Sequence, residues 1–262
     1  LWVEDPSNQD PRFSRNFLRL EVLPRLEARQ AGASAALART GRLCAEAADL
    51  LDDLADLDLA AMGGTDDHRF NHSMALGLTS PRLRNVLRRV LHGAGALMPD
   101  EERLREAERQ MRQETAAAGW RLVLGSHALC VYRDAWWIEP AGLPVMAVPQ
   151  VWAGEPRLAW AGGAVAFNAA VGQGIAASML HGVCCEIRPR VGGERLRLRS
   201  DGPARSIKNL LQEAAIPPWR RRSLPLLWVE GRLAWVAGVG VDVAFRCPPG
   251  EPGVVPDWSA TA

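Results

Sequence analysis

Between Arg188 and Arg222 the chain sets ten basic side chains against three acids, a local charge of +7. Arg195, Arg197 and Arg199 alternate with Leu196 and Leu198, so an extended backbone turns all three charges to one face. Arg205 and Lys208 stand one turn apart at the start of a helical pattern, and Arg220 follows Pro217-Pro218-Trp219. With Arg188 and Arg190 these residues form a candidate phosphate-gripping set. A guanidinium is planar, always charged and suited to holding phosphate oxygens in pairs. Helical RNA is recognised largely through phosphates and 2′-hydroxyls, so an arginine-rich face suits it. The competing interpretation is a solvated strand face. Trp219 is read as a core anchor rather than a base-stacking platform.

A second group, Arg12, Arg15, Asn16 and Arg19, lies at three- and four-residue steps on one flank of an expected helix. These residues either reach outward or pair locally with Glu4, Asp5 or Asp10.

Catalytic chemistry is harder to find. His68 and His72 are four apart, the spacing of a helical metal face, but the text around them is extended and no third ligand joins them. Asp49, Asp52, Asp53 and Asp56 mimic paired carboxylates, yet like-charge pairs at this spacing cost only about 0.2–0.5 kcal/mol and suit a solvated helix face. No Ser/His/Asp or Cys/His set stands out, and no metal site is expected. The five cysteines show no CxxC spacing, which fits a reducing, cytoplasmic compartment.

The elements that must hold these residues follow from periodicity and turn signals. Phe17, Leu20, Leu23 and Leu26 predict an amphipathic helix over 14–29, kinked or divided by Pro24. A helix over about 34–61 is expected to bury Leu43, Cys44, Ala47, Leu51, Leu54 and Leu57, and Gly63-Gly64 ends it. Helices follow at 82–92 and after Pro99. A three-stranded meander then covers 120–139, turning at Gly125-Ser126. Prolines mark a linker near 140–151. Beyond it come short strands and glycine turns, one helix at about 205–214, and a proline- and glycine-rich tail from Pro248 expected to be disordered or loosely docked. The fold class is α+β: a helical linker and small α+β domain, then a β-rich domain with one or two helices. The expected boundaries are 1–30 for a leading motif and linker helix, 31–140, 152–246, and a tail at 247–262.

Composition sets the outer limits. The 262 residues are 48% hydrophobic and 23% charged, with a formal charge of +1, so there is no global basic field. From Arg42 to Asp58 one arginine faces six acids, a local −5. Leu158–Cys185 carries no charge over a membrane-spanning length, but its glycines, Asn168, Gln173 and His181 favour strands and turns.

Three ordered stretches resemble the bacterial tRNA(Ile)-lysidine synthetase family. The first is Trp2-Val3-Glu4-Asp5-Pro6-Ser7-Asn8-Gln9-Asp10 with Arg12-Phe13 and Arg15-Asn16-Phe17-Leu18-Arg19. The second is Arg188-Pro189-Arg190-Val191-Gly192-Gly193-Glu194-Arg195. The third is Arg205-Ser206-Ile207-Lys208-Asn209-Leu210-Leu211-Gln212-Glu213, with Ile216-Pro217-Pro218-Trp219-Arg220, Leu224-Pro225-Leu226-Leu227 and Ala237-Gly238. The chain opens without an initiator methionine and is expected to be the back part of a longer protein.

The resemblance implies a ligase that adenylates the wobble cytidine of a CAU-anticodon isoleucine tRNA at its C2 oxygen; free lysine then displaces AMP to leave lysidine. It implies ATP and magnesium for the full-length enzyme, none on this chain, and a catalytic N-terminal domain with a Ser-Gly-Gly-x-Asp-Ser phosphate loop. Met62-Gly63-Gly64-Thr65-Asp66-Asp67 echoes that loop, but it follows a helix instead of preceding one, where the dipole is wrong for an anion. The implied partners are that tRNA and the catalytic domain, which Arg12, Arg15, Asn16 and Arg19 would face. A homodimer is left open. The rival readings are a non-enzymatic interaction domain with no RNA role and an independent enzyme centred on 158–185.

Overall fold

The computed structural model describes residues 10–64, 68–113, 118–142 and 147–260, in an α+β arrangement. Trp2–Gln9, Thr65–Asp67 and Pro144 lie outside the described residues, so the leading motif, the acids Glu4 and Asp5 and half of the loop echo do too. The chain divides into two compact units, Leu1–Glu108 and Arg109–Ala262, a division that falls within the stretch 31–140.

In the first unit the expected 14–29 helix forms in three pieces: Ser14–Phe17, a π-helical Leu18–Val22, and Leu23–Arg29 with Pro24 in its first turn. Pro24 offers no N–H to the preceding turn, and the chain widens there, the Leu23 N–H reaching back five residues to the Leu18 carbonyl. Gly32, at φ +85°, turns the chain into the long helix Ala33–Ala61. The Glu27 carboxylate accepts from the Gly32 and Ser34 N–H groups at 2.6 and 2.9 Å, satisfying amides at that helix start.

The burial expected of this helix is overturned. Leu43, Leu51 and Leu57 are exposed, as are Cys44 and Ala47, and Leu54 is only half-buried. The buried positions are Ala55 and Asp58, where Ser80–Gly93 packs alongside. That second helix has Pro81 in its first turn and buries Leu83, Val86, Leu87 and Leu91. The acidic face is not simply solvated either. Asp58 is gripped by Arg82, and Asp56 accepts from both Arg89 nitrogens at 2.8 and 2.7 Å. Much of the local −5 is therefore matched within the unit. His72 is buried, and Asn71 accepts from the Met74 N–H at the start of His72–Leu76.

In the second unit Trp120–Leu124, His127–Tyr132 and Ala135–Pro140 form the expected antiparallel meander, closed at Gly125 with φ +66°. A five-stranded sheet runs in the order Gly240–Val241, Arg232–Val236, Leu226–Val229, Cys185–Arg188, Gln150–Trp152. A second sheet orders Arg157–Trp160, Gly163–Val171, Pro252–Ala260, Ile175–Ala176. Trp160, Ile175, Ile187, Leu196 and Leu211 lie in the shared core, where Trp152 stacks on Phe167 at 4.1 Å.

The tail is not loose. Pro252–Ala260 pairs along its whole length with Gly163–Val171, and Val254 and Trp258 pack on the core. Gly253, one of the residues that suggested disorder, is a close-approach glycine. A Cβ there would sit 2.1 Å from the Gln173 carbonyl oxygen.

Candidate nucleic-acid interface

The centre of the basic run is a small antiparallel pair, Arg195–Leu196 against Arg205–Ser206, with Arg195 opposite Ser206. Leu196 is fully buried and Leu198 half-buried, while Arg195, Arg197 and Arg199 stay exposed. The alternation persists beyond the two-residue strand because Asp242 anchors the backbone, accepting from the Arg197 N–H at 2.8 Å.

The guanidinium partners sort these residues into two kinds. Arg195 donates to the Ala204 carbonyl, and Arg197 donates to the Ser200 and Gly202 carbonyls at 2.5 and 2.9 Å. Carbonyl acceptors orient a guanidinium without cancelling its charge, so both present a fixed positive group. Arg246 joins them, donating to the Leu198 carbonyl at 2.9 Å. Forty-eight positions separate Arg246 from Leu198, and no local spacing in the sequence points to this meeting.

The other arginines meet carboxylates. Arg199 forms a two-pronged pair with Asp201, both distances 3.1 Å, and Arg188 pairs with Glu186 while lying 5.3 Å from the Trp228 ring centroid. Arg205 reaches across the helix Ile207–Glu213 to Glu213. The hydrogen bond from Arg205 holds the Glu213 carboxyl below the usual range and raises the guanidinium's own value. Exposed pairs of this kind are held weakly against solvent, so these arginines can exchange onto a phosphate.

Arg205 is not in the helix, as its spacing suggested. Ser206 is the cap, extended in backbone and accepting from the Asn209 N–H, so the helix begins at Ile207. Ile207, Leu210 and Leu211 face the core and Lys208 faces out, with no ion-pair partner among the described residues.

Arg190 lies 3.5 Å from Glu194, whose carboxylate is almost wholly enclosed. Arg220 is held elsewhere. Its Nη2 donates to Glu139 at 2.6 Å, and Glu139 also accepts from Trp137, Trp219 and Arg121. Burial pushes the Glu139 carboxyl up, and the Trp137 N–H with the Arg220 charge more than offsets it, leaving the group below the usual range. Trp219 sits 6.0 Å from Trp137, an anchor for the meander, and Arg221 donates to the Tyr132 hydroxyl at 2.9 Å.

In the first unit, Arg12 clasps Asp10, its Nη2 2.7 Å from the carboxylate, while its side chain stays almost wholly exposed. Asn16 is buried and donates to the Asp10 carbonyl at 3.0 Å. Arg15 and Arg19 are exposed.

The Gly63 N–H donates to the Ala60 carbonyl at the end of a helix, so it is spent on the helix terminus and does not face an anion. Among the described residues no three His, Cys, Asp or Glu side chains gather as a metal site, and no helix is long and apolar enough to cross a membrane.

Residues 76–137 match the family described as the TilS substrate binding domain, and residues 185–258 match the TilS substrate C-terminal domain. The tRNA(Ile)-lysidine synthase of Aromatoleum aromaticum is 44% identical over 260 residues, covering 98% of this chain and 60% of that protein. The tRNA(Ile)-lysidine synthase of Azoarcus sp. is 42% identical, covering 98% of this chain and 56% of that protein. A solved structure described as a TilS C-terminal domain is 20% identical with a TM-score of 0.36, covering 44% of this chain and 98% of that one. The chain thus spans somewhat over half the length of the curated relatives it matches.

Proposed function

Because the chain belongs to the tRNA(Ile)-lysidine synthase family, we propose that it is the tRNA-binding portion of an ATP-dependent ligase that converts the wobble cytidine of CAU-anticodon isoleucine tRNA to lysidine. In this reading residues 31–140 and 152–246, the latter completed by the paired strand Pro252–Ala260, are the binding domains, and the protein works in the cytoplasm. ATP and magnesium are assigned in this reading to the full-length enzyme, whose catalytic domain carries the chemistry. This chain's part is positioning: holding the tRNA so that one base meets an active site built elsewhere, where a small misplacement costs orders of magnitude in rate.

The observation that carries the reading is the set Arg195, Arg197, Arg246 and Lys208. Each is exposed, and none is paired with a carboxylate among the described residues. Pre-oriented cations lose less side-chain freedom on meeting a phosphate. Arg188, Arg190, Arg199 and Arg205 form a second tier that must trade a carboxylate for a phosphate, and Arg220 contacts tRNA only beside its Glu139 bond. Arg12, Arg15 and Arg19 are assigned to the junction with a catalytic domain, and Asn16, buried and donating to the Asp10 carbonyl, holds the chain that carries them.

The test is titration of the chain against unmodified CAU-anticodon isoleucine tRNA and elongator methionine tRNA at two salt concentrations. Salt-sensitive binding that favours the isoleucine tRNA is expected. A folded chain that binds neither RNA at low salt overturns the reading in favour of a protein-interaction domain.

A further inference from the structure

One side chain in the basic region is apolar and touches almost nothing. Val191 is 92% exposed, the highest value among the exposed large hydrophobic residues described, and it lies between Arg190 and the glycines of the turn Arg190–Glu194. A lone exposed valine on a mobile loop would carry no meaning. This turn is not held loosely.

The Glu194 carboxylate, 6% exposed, accepts from the Val191 N–H at 2.6 Å and the Gly192 N–H at 2.7 Å. Burial pushes its carboxyl up, but the N–H donors of Gly192, Glu194 and Val191, with the Arg190 charge, outweigh that and keep it below the usual range. Its second oxygen has no hydrogen bond and stands 3.5 Å from Arg190 Nε, which is equally buried and unsatisfied. The Glu194 carbonyl accepts from the Ile207 N–H at 3.0 Å, tying the turn to the helix that carries Lys208. Gly192 and Gly193 adopt φ +117° and +85° with open space where a Cβ would lie, so their requirement is backbone conformation and not crowding.

Enclosing a carboxylate is costly unless it is fully bonded. Here it fixes a turn whose exposed side chain is the apolar Val191, next in sequence to Arg190 and tied through Glu194 to the helix that carries Lys208. A ligand that meets both must alternate anionic and apolar surface, which describes a nucleic acid with phosphates flanking base faces. We propose that the Arg190–Glu194 turn is a preformed RNA contact in which Val191 packs on an unstacked nucleobase face and Glu194 is the positioning residue that holds it there. The inference rests on the tRNA-binding reading above.

The experiment measures tRNA affinity and its salt dependence for the parent chain, Val191→Ala, Glu194→Ala, Glu194→Gln, the Val191→Ala/Glu194→Ala double variant and Lys208→Ala. Val191→Ala is expected to bind about fivefold more weakly, from loss of partly buried methyl groups, with the salt slope unchanged. Lys208→Ala is expected to lower the slope by about one unit, the signature of a lost phosphate contact. Glu194→Ala should match Val191→Ala, the double variant should be no weaker than Glu194→Ala, and Glu194→Gln, which keeps an acceptor oxygen, should recover part of the loss. Val191 has no packing to lose, so its variant reports even where Glu194→Ala fails to fold. Parent-level affinity in Val191→Ala, or fully additive losses in the double variant, overturns the proposal while leaving the tRNA reading intact. Failure of the parent chain itself to bind overturns both.

Discussion

Arg205 and Glu213 close over the outer face of the Ile207–Glu213 helix, Nη1 donating to Oε2 at 2.9 Å across eight residues. This pair neutralises a guanidinium one turn from Lys208, and its members are 44% and 57% exposed. Removal of the carboxylate leaves the guanidinium available to RNA. Glu213→Gln is therefore expected to tighten tRNA binding and to steepen the salt slope by up to about one unit. Parallel titrations of parent and variant check this, and an unchanged slope would show that Arg205 reaches no phosphate.

The two tiers of arginine should respond differently to truncation. Arg197→Ala removes a fixed, uncancelled charge, whereas Arg199→Ala also frees Asp201. Each loss of a phosphate contact lowers the slope by about one unit, but Arg199→Ala adds an unpaired carboxylate that repels the RNA. Arg199→Ala should thus weaken binding at low salt at least as much as Arg197→Ala. A negligible effect of Arg199→Ala would remove it from the interface.

Glu139 gathers four N–H donors from two strands and the short 3-10 turn Pro218–Arg220: Arg121, Trp137, Trp219 and Arg220. Truncation strands two cations and two indoles, so Glu139→Ala should lose about 2–4 kcal/mol, measured by urea denaturation. The pH dependence has a definite sign. The folded carboxyl titrates below its ordinary value of 4.5, so its contribution is complete above that value and disappears as pH falls through the folded value. The parent should lose more stability than Glu139→Ala on acidification through this window; equal losses would remove Glu139 as the cause.

The long helix Ala33–Ala61 supplies a contrast between exposed and buried leucines. Leu50 is 69% exposed, and Leu87 of the helix packed against Ala33–Ala61 is fully buried. Leu50→Gln should change stability by less than about 0.5 kcal/mol. Leu87→Ala should cost about 2–5 kcal/mol. A large cost for Leu50→Gln in chemical denaturation would show that its face is covered in solution.

These contrasts also show what was legible in the amino-acid sequence. The meander at 120–139 was readable because Gly125-Ser126 and the β-branched and aromatic runs agree on it. The exposure of Arg195, Arg197 and Arg199 followed from period-two alternation with two leucines. Burial of Leu43, Leu51 and Leu57 did not follow, because periodicity identifies an apolar face and says nothing of what covers it. The tail misled for a related reason: Gly253 and the prolines carry turn statistics, while the strand is determined by Val254 and Trp258 meeting a core brought from far along the chain. Arg246 and the carbonyl clamps on the guanidiniums were invisible because tertiary contacts alone create them.

Lys208 is the one lysine in the chain, and it stands in the first turn of its helix with an open ammonium. An amine-reactive reagent consequently finds a single side chain to modify, and that side chain lies on the candidate binding surface. The protein carries its own site for attaching a fluorophore or for capturing an oxidised ribose end covalently. Protection of that amine by bound RNA would map the contact without changing a residue.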